Sequence, residues 1–334
     1  MDILVVDDSA FMRKIVTDLL LKMPNVQVSQ TARNGKLALA LLEEYKPDVV
    51  LLDVEMPILN GLDTLKIIKE KYDIPVVMLS ALTNKEVTIE ALNLGAADFV
   101  EKPVNIKEIK DEWIREFYWK IKSLPKQQQT EPVKERIVIP SNPQKVQFPT
   151  RVKAVVIGAS TGGPKSLLKI IQNLDHPLKV PIFIVQHMPK GFTASFAQRM
   201  NEESHVEVKE AETGEPIQKK VYICPGDYHM TVKEGCIWLD QEDKIHGTRP
   251  AVDYLFKSAA QMYGKELVGF ILTGMGKDGT AGMKQILRHG GYNFAQDKDS
   301  SVVFGMPKHA IESGVIQEVL DLDEIGRKLK QMVR

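Results

Sequence analysis

Three side chains in the second half of the chain have the types needed for acyl transfer. Ser160 lies in KAVVIGASTGGPKSLLKII, where an apolar strand pattern meets an amphipathic helix pattern through a glycine-rich turn. A hydroxyl there can attack a carbonyl carbon once a base takes its proton. Gly158-Ala159-Ser160-Thr161-Gly162 satisfies G-x-S-x-G, the nucleophile elbow, in which small neighbours expose the serine and the next backbone N–H can meet a forming oxyanion. Other readings compete. Gly158, Gly163, Lys165 and Ser166 nearly spell a phosphate loop, but Pro164 breaks its spacing; a dinucleotide fingerprint would need glycine where Ser160 stands. A plain glycine-rich packing turn fits the same residues.

The seven histidines test for a base. His187 follows the strand pattern PIFIVQ, which puts it at the same sheet edge as Ser160, and His229 after PGDY is its competitor. His176, His205, His246, His289 and His309 stand in helical or loop contexts that suit solvated or packing roles. Asp278, in TGMGKDGTAG just past the strand LVGFIL, is the carboxylate placed to orient an imidazole. Glycines 274, 276 and 279 allow that loop a close backbone approach. The chain order Ser, His, Asp differs from the Ser, Asp, His order of α/β-hydrolases.

A second constellation occupies the first half. Asp7 and Asp8 follow the first strand pattern, Asp53 the third, Ser80 the fourth and Lys102 comes after the fifth. Carboxylates converging on one edge repel each other unless a hard cation sits among them, and magnesium, which takes oxygen ligands and keeps positions for water and phosphate, suits the set. Lys102 supplies a fixed countercharge, and the Ser80 hydroxyl can donate to a phosphoryl oxygen.

Such residues must be positioned by two sheets. In front, ILVV, VQVS, VVLL, PVVML and DFV read as strands, with helical patterns starting at Phe11, Gly35, Leu62, Lys85 and Ile106. Five such pairs predict a doubly wound, flavodoxin-like parallel sheet, whose working residues gather beyond the strand C-terminal ends. Behind, KAVVIG, PIFIVQ, LVGFILT and YNFAQ predict a second α/β domain with a mainly parallel sheet, interrupted by VYIC, YHMTV and CIWLD as a small antiparallel excursion. Residues 124–150 hold five of the 18 prolines, five glutamines and no glycine, a semi-rigid linker composition. The expected boundaries are 1–122, a linker over 123–149, and 150–334.

The chain is 334 residues long, enough for two domains. Its 44 basic and 44 acidic groups cancel, which excludes a generally polybasic nucleic-acid binder and an acidic disordered chain. Split by segment, residues 1–123 carry −4, residues 124–150 carry +2 and residues 151–334 carry +2. Two cysteines, Cys224 and Cys236, are too few for a disulfide framework. Without a leader pattern or a long apolar run, the chain is expected to be cytoplasmic, with no direct membrane insertion.

Across about 120 residues the front half, with VVDDSAFMR, LLDVEMPILNG and the EKP ending, resembles the receiver domain of two-component response regulators. The resemblance implies that Asp53 accepts a phosphoryl group from a histidine kinase, and that Asp7, Asp8, Asp53 and the Glu55 backbone carbonyl hold Mg²⁺. It also makes Phe99, three residues before Lys102, the aromatic switch partner of Ser80 and Lys102. Behind it, IGASTGGP, VQHMPKGFT, CPGDYHM, RPAVDYLF, LTGMGKDGTAGM and VVFGMPKHA resemble the bacterial chemotaxis protein-glutamate methylesterases, the CheB family, over nearly the full length.

That resemblance implies a nucleophile at Ser160, a base at His187 and an orienting acid at Asp278, with the backbone N–H groups of Thr161 and Met275 as oxyanion donors. The implied substrates are glutamyl γ-methyl esters on methyl-accepting chemotaxis receptors, with glutamine deamidation as a second activity and no cofactor for the hydrolysis. Arg249, Asp253, His229 and Met230 lie in the family motifs, where ion pairing and packing compete with substrate contact; Met188 and Phe192 are core residues or pocket walls. The unphosphorylated receiver is expected to cover the Ser160 cleft. A DNA-binding output is the contrary reading, against which stand the small +2 charge and the lack of a basic recognition-helix pattern. A non-catalytic receptor-docking protein would share the same motifs.

Overall fold

The computed structural model describes residues 1–81, 85–102, 111–124 and 147–334. The predicted helix start at Ile106, the Pro103 of the EKP ending and nearly all of the predicted linker lie outside the described residues. The chain separates into two compact units, Met1–Pro132 and Val133–Arg334.

In the first unit the elements alternate: β1 Asp2–Val6, α1 Ala10–Leu20, β2 Gln27–Ala32, α2 Gly35–Glu44, β3 Val49–Asp53, α3 Gly61–Lys71, β4 Val76–Ser80, α4 Lys85–Asn93, β5 Asp98–Glu101 and α5 Asp111–Ser123. Side chains of Ser9, Asn34 and Asn60 accept from backbone N–H groups in the first turns of α1, α2 and α3, which is why those helices start where they do. The sheet is parallel in the order β2-β1-β3-β4-β5. Every residue of β3 and β4 is buried, as expected for strands covered on both faces. One face packs Ile3, Val5, Leu51 and Val77 against Val16 and Leu20 of α1 and Phe117 and Ile121 of α5. The chain reverses its direction of winding between β1 and β3, the place where doubly wound sheets open their crevice.

The second unit runs β6 Ala154–Ala159, α6 Gly163–Gln172, β7 Ile182–Gln186, α7 Phe192–Glu203, β8 Val208–Glu210, β9 Val221–Ile223, β10 His229–Lys233, β11 Cys236–Asp240, α8 Val252–Tyr263, β12 Leu267–Ile271, α9 Thr280–Arg288, β13 Tyr292–Gln296, α10 Met306–Glu312, β14 Glu318–Leu320 and α11 Leu322–Val333. Seven strands form one parallel sheet in the order β14-β13-β12-β6-β7-β9-β8. Among the described strands, β10 and β11 alone pair antiparallel, as a hairpin. The expectation for VYIC is therefore corrected: Val221–Ile223 lies beside β7 in the main sheet. All three of its residues are buried, and a strand that short carries too little periodicity to show which sheet it joins. Strands β8 and β14 escaped the sequence reading for the same reason. Cys224 is buried and Cys236 opens β11; both are free.

Candidate active site and acidic pocket

Register brings the expected hydrolytic residues to one sheet edge. Ala159 of β6 pairs with Gln186 of β7, so Ser160 and His187 leave adjacent strands side by side. On the other flank of β6, Ile271 of β12 pairs with Gly158, and the loop after β12 carries Asp278. That loop closes over the end of β6: a Cβ on Gly274 would lie 2.8 Å from Ser160 Cβ, so only glycine lets the Gly274–Met275 peptide pass alongside the serine. The Ser160 N–H donates to Thr273 O at 3.0 Å, joining the same two strands.

His187 and Asp278 meet at 2.8 Å, Nε2 to Oδ2. Asp278 also accepts from the N–H groups of Val252 (2.7 Å), Asp253 (3.0 Å) and Gly279 (2.8 Å). Burial pushes its pKa up, but the hydrogen bond and charge of His187 and the backbone donors outweigh it, holding the carboxyl below the ordinary range. An ionised carboxylate can only accept, so Nε2 carries the proton in this bond and Nδ1 is the ring nitrogen left for another partner.

The turn itself differs from the predicted elbow. Ser160 is absent from the few non-glycine residues with positive φ; the left-handed position is Gly162, with φ 77°. The glycine carries the tight turn, so the serine needs no strained backbone. Pro164, which spoils the phosphate-loop spacing, sits in the first turn of α6, where its missing N–H costs nothing.

The competing histidine has both ring nitrogens engaged. His229 is buried, stacks on Tyr254, accepts at Nδ1 from Ala251 N–H (3.2 Å) and faces Asp243 O with Nε2 (3.2 Å). Burial holds it below its usual range, so it is a neutral structural histidine. Arg249 ties Asp227 (2.7 Å) to the carbonyls of Gln241 and Glu242, a structural role. Met230 and Phe192 are fully enclosed core residues, and Met188 is buried as well. Of the two expected oxyanion donors, Thr161 is buried and Met275 is half-buried.

Asp253 is a feature that sequence reasoning left undecided. It is buried next to Asp278, and its Oδ1 accepts from Gly282 N–H at 2.6 Å. Burial and then the charge of Asp278 push it up to about 6, against the Gly282 bond and the attraction of His246, whose Nε2 lies 3.8 Å from Oδ2. Its pKa is raised on folding, so the folded state binds more protons between about pH 4 and 6 and stability falls as pH rises through that window. Asp253→Asn is expected to stabilise the second unit at pH 7.5 by roughly 1–3 kcal/mol, with the gain shrinking toward pH 4.5. Calorimetric melts at the two pH values check this; an equal gain at both would show that ionisation is not the cause.

In the first unit, Val6 pairs with Leu52, so Asp7 and Asp53 emerge level from adjacent strands. Asp7 and Asp53 are buried and Asp8 is exposed, and one carboxylate oxygen of each lies within 4.8 Å of the others. Lys102 Nζ bridges Asp7 Oδ2 and Asp53 Oδ1 at 2.7 Å each. Burial pushes Asp53 up to about 6, with Asp7 adding to the rise and Lys102 opposing it. Lys102 is itself held above its usual range, because its two carboxylate partners outweigh the effect of burial. The exposed Glu55 donates its N–H to Asp53 Oδ1 at 3.4 Å. Ser80 stands at the expected strand end, but its hydroxyl pairs with Thr88 Oγ1 of α4 at 2.5 Å and with Ala81 O at 3.1 Å. Phe99 is buried, with Lys120 Nζ 4.9 Å from its ring centre. Thr88 went unnoticed in the sequence, since a threonine inside a helical pattern carries no signal of a partner on the neighbouring strand.

Residues 155–329 match the family model described as CheB methylesterase, and residues 3–113 match the response regulator receiver domain. The chain is 46% identical to the protein-glutamate methylesterase/protein-glutamine glutaminase of Pyrococcus horikoshii, over 99% of this chain and 93% of that protein. It is 41% identical to the protein of the same description from Bacillus subtilis, over 99% and 98%. The crystal structure of the CheB methylesterase catalytic domain of Thermotoga maritima superposes with a TM-score of 0.52 at 48% identity, covering 55% of this chain and 99% of that one.

Proposed function

The chain belongs to the CheB methylesterase family and carries a response regulator receiver domain, and from that premise we propose that it is a phosphorylation-regulated serine hydrolase. Its substrates are glutamyl γ-methyl esters on chemotaxis receptors. The proposed division is a receiver over 1–122, a linker over 123–149 and an esterase over 150–334.

The observation that carries the reading is the 2.8 Å bond between His187 Nε2 and Asp278 Oδ2, spanning the end of the strand that delivers Ser160. Ser160 Oγ attacks the ester carbonyl carbon while His187 Nδ1 takes the hydroxyl proton. The negative oxygen of the tetrahedral intermediate is held by the N–H groups of Thr161 and Met275, a type of contact worth about 10²- to 10³-fold in rate. As the C–O bond to the methoxy group breaks, the imidazolium returns its proton to the leaving oxygen, and methanol departs. Water, deprotonated by His187, then attacks the acyl-enzyme and releases glutamate and free Ser160. Ammonia leaves in place of methanol when the substrate is a glutamine side chain.

In the receiver, Asp53 is the phosphoacceptor for a histidine kinase. The all-oxygen donor set of Asp7, Asp8 and Asp53 fits Mg²⁺, with the Glu55 carbonyl as a further ligand. Bound there, the ion would neutralise phosphoryl oxygens at the acceptor carboxylate. Lys102, which now spans Asp7 and Asp53, has to exchange a carboxylate partner for a phosphoryl oxygen, and Ser80 has to leave Thr88 to donate to the same group. Those exchanges, with a shift of Phe99, are the two-state element that relieves a restraint on the esterase. Among the described residues no helix is long and apolar enough to cross a membrane.

Methanol release from methylated receptors, with and without a small phosphodonor, tests the whole reading. The wild type is expected to release methanol faster with the donor, and Asp53→Asn is expected to show the lower rate in both conditions. No methanol from wild type under either condition would remove the esterase; equal rates with and without donor would remove the regulation.

A further inference from the structure

Gln186 is the last residue of β7 and is buried, at 2% exposure. A polar side chain at the end of the apolar run IFIVQ needs partners for its donors, because unpaired buried N–H groups are costly, and its buried Oε1 has none among the described residues. Its Nε2 donates to two carbonyls, Ser160 O at 3.0 Å and His187 O at 3.1 Å. These belong to the proposed nucleophile and the proposed base. The last ladder bond between the two strands is His187 N–H to Ala159 O at 3.1 Å, one step before this point. Beyond it the Ser160 N–H turns away to Thr273 O on the opposite neighbour, so the carboxamide takes over where the ladder ends. Ser160 O also accepts from Gly163 N–H at 2.7 Å, which occupies both of its lone pairs.

We propose that Gln186 is a positioning residue that fixes the spacing of Ser160 and His187 through their backbones, in a slot kept open by Gly163. The slot has a defined wall. A Cβ on Gly163 would lie 2.1 Å from Gln186 Oε1 and 2.8 Å from Ala159 Cβ. Gly162 has positive φ but Gly163 does not, so space rather than backbone conformation demands glycine at the second position. The carboxamide has one workable orientation, since turning it over would set Oε1 against two carbonyl oxygens. A nucleophile and base displaced by a fraction of an ångström lose the near-attack geometry, with losses up to about 10²-fold for 1 Å.

The inference rests on the triad reading and is tested so that the two can fail separately. The variants are Gln186→Met, which keeps length and packing but removes the donors, Gly163→Ala, which pushes the carboxamide aside, and the two combined. Each full-length protein is assayed for kcat and KM on methylated receptor and for the rate of Ser160 labelling by a fluorophosphonate. Gln186→Met is expected to lose about 10- to 100-fold in both kcat and labelling rate, with KM within about twofold. Gly163→Ala is expected to behave alike, and to cost less in the Gln186→Met background than in wild type, because the crowded Oε1 is gone. Either single variant, if folded, overturns the proposal by keeping kcat and labelling within about twofold of wild type. So does a Gly163→Ala penalty of equal size in both backgrounds. Failure of the triad reading shows differently, as wild type that is not labelled at Ser160.

Discussion

Replacing Ser160 with alanine is expected to lower ester hydrolysis by about 10⁴- to 10⁶-fold, the range for removing a serine nucleophile whose partners remain in place. The fold is expected to survive unchanged. Ser160 is held by its backbone, through N–H to Thr273 O and through a carbonyl that accepts from Gly163 N–H and Gln186 Nε2, and none of these bonds uses the hydroxyl. His187 and Asp278 keep their own bond, so the residual rate reports what binding and the oxyanion donors achieve without covalent catalysis. Methanol release and fluorophosphonate labelling measure the loss, and a melting temperature within about a degree of wild type checks the fold. A variant that turns over at near wild-type rate would mean that Ser160 is a packing residue of a glycine-rich turn.

Asp278→Asn is expected to be nearly as damaging to rate and worse for stability. The carboxylate accepts four hydrogen bonds, one from His187 and three from backbone N–H groups. An asparagine supplies only one acceptor oxygen, and its NH₂ must face a donor. If that NH₂ meets His187, the proton moves to Nδ1 and the base is lost, a change of tautomer that costs about 10⁴-fold in a comparable triad. In that position it also faces Val252 N–H, and in the Oδ1 position it faces the N–H groups of Asp253 and Gly279, so either way buried donors are left unpaired, at about 1–3 kcal/mol each. The sign with pH is opposite to that of Asp253. The Asp278 pKa is held low on folding, so its stabilisation is present above the ordinary carboxylate range and fades as pH falls through the folded value. The stability gap between wild type and Asp278→Asn should therefore narrow in acid. Rate assays at pH 7.5, with melts at pH 7.5 and at about pH 2.5, below the ordinary carboxylate range, decide; a gap that widens in acid would place the stabilisation elsewhere.

The two carboxylates show how far sequence reading reached. Asp278 was recognisable from a glycine-rich loop at a strand end, since the doubly wound arrangement sends such loops to one edge. Asp253 was visible only as a member of a motif, because burial and a like charge from a loop 25 residues away set its acidity. His187 and His229 likewise both follow plausible elements. Only the bonds at both ring nitrogens of His229 separate them, and those partners, Ala251 and Asp243, lie on other segments.

Local chemistry and periodicity in the sequence determined the two α/β units, the acidic edge of Asp7, Asp8 and Asp53, and the candidacy of Ser160, His187 and Asp278. Period and strand-end position are properties of short windows, so no tertiary information was needed. The tertiary structure alone decided that β9 joins the parallel sheet, that Ser80 rests on Thr88, that Nδ1 is the free nitrogen of His187, and that Gln186 links the two strand ends. Each is a matter of register or of one hydrogen bond between segments far apart in the chain, and pairing of that kind leaves no periodic trace in the residues that make it.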